Sequence, residues 1–121
     1  MYRTHSIVNW LLTVFCICCL NVAQAHTIIS SSYPEDNQVL PLITQDATLN
    51  FVAPVVILKI ELLGELIRED LDISNNAGAS KTIVAKFPQS LSDGRYTLNW
   101  SALSEDGHNL TGTLSFTLAS L

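Results

Sequence analysis

Sulfur is missing from nearly the whole chain. Cys16, Cys18, Cys19 and Met1 are its only sulfur-bearing residues, and from residue 20 onward there is none. That excludes a disulfide-stapled scaffold, a thiolate zinc site and a thioether site for a soft metal in the body of the protein. Positive charge is scarce too: six Lys and Arg stand against eleven Asp and Glu, which argues against a nucleic-acid partner and favours attraction of cations. The apolar run from Trp10 to Leu20 is 11 residues long, short of the roughly 20 that a membrane-spanning helix requires. Internal repeats, low-complexity tracts and runs of like charge are also absent.

What is present begins with an N-terminal segment laid out as a secretory signal. Arg3 supplies a basic start, Trp10 to Leu20 the apolar middle, and Ala23-Gln24-Ala25 a small-residue cleavage site, so residues 1–25 are expected to be removed and His26 to become the first residue. The three cysteines fall inside the apolar run, where Cys behaves as a small hydrophobe. The remaining 26–121 retains all eleven carboxylates and five cations, a formal charge of −6, over 96 residues. A chain of that length builds one core and one domain.

Along this stretch, short alternations of apolar and polar residues are broken by turn residues every 8 to 12 positions, the pattern of an all-β sandwich. Thr27 to Tyr33 reads as the first strand, stopped by Pro34-Glu35-Asp36-Asn37. Ala47, Leu49 and Phe51 form a second alternation ending at Pro54. Next, Val56, Leu58, Ile60 and Leu62 are expected on one face with Lys59 and Glu61 on the other, and Gly64 in the following turn. A helix over 60–70 competes with that strand, because Glu, Leu and Arg favour it. Residues 75–80 read as a loop, and Ile83, Ala85 and Phe87 as a further strand closed by Pro88. Asp93-Gly94 opens a strand that buries Tyr96, Leu98 and Trp100. A last strand alternates Leu110, Leu114, Phe116 and Leu118 with Thr and Ser.

The chemistry-bearing stretch is Ser104-Glu105-Asp106-Gly107-His108, ahead of that last strand. Asp106 and His108 stand two positions apart, the spacing that on a strand sends both side chains to one side. Cleavage after Ala25 would leave two histidines, and His26 would carry a free α-amine able to close a chelate ring with its own Nδ1. Together with His108 and an Asp106 oxygen, it would make a planar set of three nitrogens and one oxygen. Such a set suits Cu(II) first and Ni(II) next, while Zn(II) would prefer a tetrahedron. The residues alone leave the metal-free reading open, with His108 an ordinary surface residue after a turn. The metal reading also requires the first and last strands to adjoin at one end of the sandwich.

Several of these stretches resemble the CopC family of periplasmic copper-binding proteins: Ala25-His26-Thr27, Ser32-Tyr33-Pro34-Glu35-Asp36, Leu91-Ser92-Asp93-Gly94-Arg95-Tyr96, Trp100, and Ser104 to His108 leading to Gly112 and Phe116. The resemblance implies a small Greek-key β-sandwich or barrel, a Cu(II) site made by His26, Asp106 and His108, and a role in copper homeostasis or resistance. It also implies a periplasmic, soluble monomer, and as partner the membrane protein CopD. Some family members carry a Met-rich Cu(I) site. This chain has no methionine after Met1, so the resemblance extends to the Cu(II) site alone.

Two other functions compete with a copper carrier. Lytic polysaccharide monooxygenases also hold copper through an N-terminal histidine, but 96 residues with few aromatics offer no polysaccharide platform. An immunoglobulin-like structural module without metal would share the strand pattern and differ in failing to bind copper.

Overall fold

The computed structural model describes residues 28–74 and 77–121. The secretory segment, His26 and Thr27 lie outside the described residues, as do positions 75 and 76 of the expected loop. Every regular element among the described residues is a strand: β1 (Ile29–Tyr33), β2 (Gln38–Leu40), β3 (Ala47–Leu63), β4 (Arg68–Asp70), β5 (Asp72–Ile73), β6 (Ser80–Lys86), β7 (Gly94–Ser104) and β8 (Asn109–Leu118). The all-β expectation holds. The strands run in the order β2-β8-β7-β3-β6-β5, with β1 and β4 each paired to β3. This non-sequential order is of the kind found in Greek-key folds. Only β2 lies parallel to its neighbour, on β8.

β3 organises the rest. Its first half pairs with β1 and β6, for example Leu49 with Ser32 and with Ile83. Its second half pairs with β7 and β4, as in Leu62 with Leu98 and with Glu69. One 17-residue strand therefore serves both halves of the sandwich. The change of partners falls between Asn50 and Val55, where the register with β6 shifts. Pro54 sits in that gap, inside β3, and not at the strand end expected from the sequence; a residue without an N–H is tolerated where the ladder is interrupted.

The facing expected for the second half is corrected in part. Ile60 and Leu62 are buried, but Val56 and Leu58 are exposed, and Val55 and Ile57 take the core instead. The cause is a bulge between Ile57 and Lys59, which inserts one residue and reverses the alternation. Continued without it, the phase of Val55 and Ile57 would have driven Lys59 into the core, a costly place for an unpaired charge. Outside, Lys59 reaches Asp70 at 3.1 Å and Arg68 reaches Glu61 at 2.8 Å. The competing helix over 60–70 does not form. A β3–β4 hairpin occupies the segment, closed by the Gly64 N–H donating to the Ile67 carbonyl at 2.8 Å.

β6 buries Ile83 and Ala85, whereas Phe87 lies just past its end. Ser80, expected in the loop, already belongs to β6. β7 buries Tyr96, Leu98, Trp100 and Ala102 as its alternation predicts. The aromatic residues meet across the core: Phe51 stands edge-on to Trp100 with ring centres 5.1 Å apart, and Tyr96 stacks on Phe116 at 5.5 Å. Such pairs add to plain area burial.

Gly112 faces Trp100 across the β7–β8 ladder. A Cβ there would lie 2.6 Å from Cε2 of the indole, well inside contact distance. Gly112→Ala is therefore expected to destabilise the protein by about 1–3 kcal/mol through overpacking. A thermal melt would read this as a drop of about 4–8 °C per kcal/mol for a domain of this size. An unchanged melt would show that the indole can move aside without cost.

Candidate metal centre

β7 ends at Ser104 and β8 begins at Asn109, so the residues between them form the connecting turn. Asp106-Gly107 permits it. Gly107 has φ +82°, a left-handed conformation that glycine adopts without steric penalty. The backbone closes through the Gly107 N–H donating to the Ser104 carbonyl at 3.0 Å and the Ser104 N–H donating to the His108 carbonyl at 2.9 Å. Asp106 and His108 thus lie in a turn rather than on the strand that their spacing suggested. They converge nonetheless.

His108 Nδ1 is 2.9 Å from Asp106 Oδ2. At that distance the carboxylate and the imidazole face one another as an oxygen and a nitrogen donor on the same turn. The other carboxylate oxygen, Oδ1, accepts a hydrogen bond from the Ser104 hydroxyl. That hydroxyl in turn accepts from the His108 backbone N–H at 3.1 Å. Asp106 is held below the usual carboxylate range, first by the Ser104 hydrogen bond, against opposing desolvation, and with help from the His108 N–H and imidazole. It is therefore anionic wherever an ordinary carboxylate would be. Both side chains stay open to solvent, at 66% for Asp106 and 80% for His108.

Ser104 is the residue that the sequence reading left out of the site. Its signal was available: a serine two positions before an aspartate is a frequent turn-forming arrangement, in which the hydroxyl bonds nearby backbone and side-chain groups.

Asp106, Glu105 and Ser104 form one side of an open groove of about 470 Å³ whose other walls include Ile28, Pro54 and Leu110. Ile28 is the first described residue, tied down by its carbonyl accepting from the Val52 N–H at 2.9 Å. The beginning of the described chain and the Asp106–His108 turn therefore share one concavity. Further along the same seam, the Ser32-Tyr33-Pro34-Glu35-Asp36 stretch also meets β8. Asp36 Oδ1 accepts from the Ser115 N–H at 2.9 Å, the Asn37 N–H donates to the Ser115 carbonyl at 2.6 Å, and Pro34 is fully buried. That motif is a structural clasp between the first and last strands.

Among the described residues no group of three His, Cys, Asp or Glu side chains is arranged to hold a metal ion. Asp106 and His108 supply two donors, one oxygen and one nitrogen. Hard and borderline donors of this kind suit copper, nickel or zinc ions. A third donor, expected from His26, lies outside the described residues.

A small all-β domain with a paired carboxylate and imidazole on the turn between its last two strands is thus the frame. The sequence matches the CopC domain over residues 29–119, and the chain belongs to the CopC family. Its fold is similar to that of PcoC, a methionine-rich copper resistance protein from Escherichia coli, at 24% identity and a TM-score of 0.61, covering 78% of this chain and 100% of that one. A selenomethionine form of PcoC gives 22% identity and a TM-score of 0.60, covering 75% of this chain and 98% of that one. CopC from Methylosinus trichosporium OB3b gives 19% identity and a TM-score of 0.63, covering 78% and 95%. At these identities the likeness is one of fold. No curated protein sequence matches the chain.

Proposed function

We propose that this protein is a periplasmic Cu(II)-binding protein serving copper homeostasis or resistance, by sequestering the ion or passing it to a membrane partner of the CopD kind. In this reading residues 1–25 are a cleaved export signal, and the ion is held by the α-amine and imidazole of His26, by the His108 imidazole and by Asp106. The protein binds and releases its cargo and catalyses nothing. Membership of the CopC family and the copper resistance proteins among similar folds support the copper assignment.

The observation that carries the site is the shared groove of Ile28 and Asp106. His26 precedes Ile28 by two residues, and two residues of extended chain reach about 7 Å. That reach would let an N-terminus starting at His26 meet the Asp106–His108 turn. The test is a Cu(II) titration of the exported, processed protein, followed by the fluorescence of Trp100. One equivalent should saturate it; absence of binding would leave the immunoglobulin-like structural module as the better reading.

Oxidation state and pH give a further expectation. With no Cys or Met beyond residue 25, reduction by ascorbate in the presence of a Cu(I) chelator should strip the copper readily. Retention under those conditions would reveal a soft site elsewhere. Acidification should also release Cu(II), because amine and imidazole must lose protons to ligate. Asp106 is held low by Ser104, so its own protonation comes last as the pH falls. The release should follow the nitrogen ligands.

A further inference from the structure

Asp106 and His108 are solvent-exposed, and neither has a packed surface to hold its rotamer. What they share is Ser104. Its backbone is fixed at the end of β7, where it pairs with Val55 on β3 and donates its N–H to the His108 carbonyl. Its hydroxyl then does two things at once: it donates to Asp106 Oδ1 and accepts the His108 backbone N–H at 3.1 Å. Since Asp106 Oδ2 meets His108 Nδ1 at 2.9 Å, the imidazole is oriented through the carboxylate that Ser104 holds.

We propose that Ser104 is the positioning residue of this site, locking Asp106 and His108 into one arrangement before the metal arrives. The inference rests on the copper reading above and adds to it a residue that touches no metal. The physical basis is preorganisation. Two exposed side chains that must each find one rotamer on binding lose conformational freedom at that moment, whereas a hydroxyl anchored to the sheet removes that freedom in advance. Partners of metal ligands act in this way in metal sites generally, and their loss weakens metal affinity by about 10–100-fold.

Removing the hydroxyl should separate affinity from stability. In Ser104→Ala the Asp106 oxygen and the His108 N–H both remain in reach of water, which replaces the lost bonds at little cost to the fold. The geometry they were held in is not replaced.

The experiment compares processed wild type, Ser104→Ala, Ser104→Thr and His108→Ala in competitive Cu(II) titrations, with electron paramagnetic resonance of the loaded proteins, and with amide exchange and melting of the metal-free ones. Ser104→Ala is expected to bind Cu(II) about 10–100-fold more weakly and to show a mixture of copper environments. Its metal-free form should exchange the His108 amide faster at an unchanged melt, and Ser104→Thr, which keeps the hydroxyl, should restore wild-type behaviour. Wild-type affinity and a single copper spectrum in Ser104→Ala, alongside lost binding in His108→Ala, would overturn the role of Ser104 and leave the copper site standing. A deficit that Ser104→Thr does not restore would likewise overturn the role of the hydroxyl. Unaltered binding in His108→Ala would overturn the site itself. Were Ser104→Ala not to fold, the metal-free wild type decides: a His108 amide exchanging as fast as in an unstructured peptide would show that Ser104 holds nothing.

Discussion

A protein bearing one additional residue ahead of His26 is expected to bind Cu(II) more than about 100-fold more weakly than the same protein beginning at His26, a loss beyond that typical of an outer-shell partner. The α-amine becomes an amide and can no longer ligate as a neutral amine, so the chelate ring with the His26 imidazole is gone. What remains is the His26 imidazole and the Asp106–His108 pair on the β7–β8 turn. Fold and melting of the metal-free protein should be the same in both forms, because the described sheet begins only at Ile29. Two proteins made side by side, one exported and processed and one with a Gly before His26, suffice to test it by competition with a chelator of known strength. Equal affinities would remove the N-terminal amine from the mechanism and would leave the metal to the turn alone.

The second large effect is expected from His108→Ala. It removes the imidazole donor that the β7–β8 turn sets beside Asp106. Asp106→Ala removes an oxygen donor and a negative charge, and it also frees the His108 ring; yet the strongest donor stays, so its loss of affinity should be the smaller of the two. Both substitutions lie in an exposed turn, and the metal-free melts should stay near that of the wild type. Trp100 reports the result: it is buried at 5% exposure and stands four ladder positions from Ser104 along β7, roughly 14 Å at strand rise. Loss of one-equivalent quenching in His108→Ala is the expected outcome. Stoichiometric binding that survives this substitution would place the copper elsewhere.

Much of this architecture was legible from alternation. β7 and β8 declared their buried faces through Tyr96, Leu98 and Trp100 and through Leu114, Phe116 and Leu118, because a large apolar residue at every second position has only one way to face a core. The bulge after Ile57 was not legible. A sequence shows the phase of each half of β3 but not the partner strand against which an extra residue must be counted. Pro54 misled for a related reason, since it stands where β3 exchanges partners, and a local signal carries no word of partners. At the site, the Asp-Gly turn was plain in the residues, whereas the hydroxyl of Ser104 reaching both Asp106 and His108 depends on how the turn curls. The clasp of Asp36 on Ser115 joins positions 79 apart in the chain, beyond any local pattern.

The through-going course of β3 also sets how far a bound ion can be felt. Leu49 in its first half and Leu62 in its second are fully buried and paired to different neighbours, yet they belong to one continuous strand. A ligand that binds only the folded form lowers the frequency of every opening that destroys its site. Copper gripped at one rim of the sandwich would therefore slow amide exchange at Leu49 and Leu62 alike wherever both exchange through global unfolding, and a site at the rim would be felt in the middle of the core.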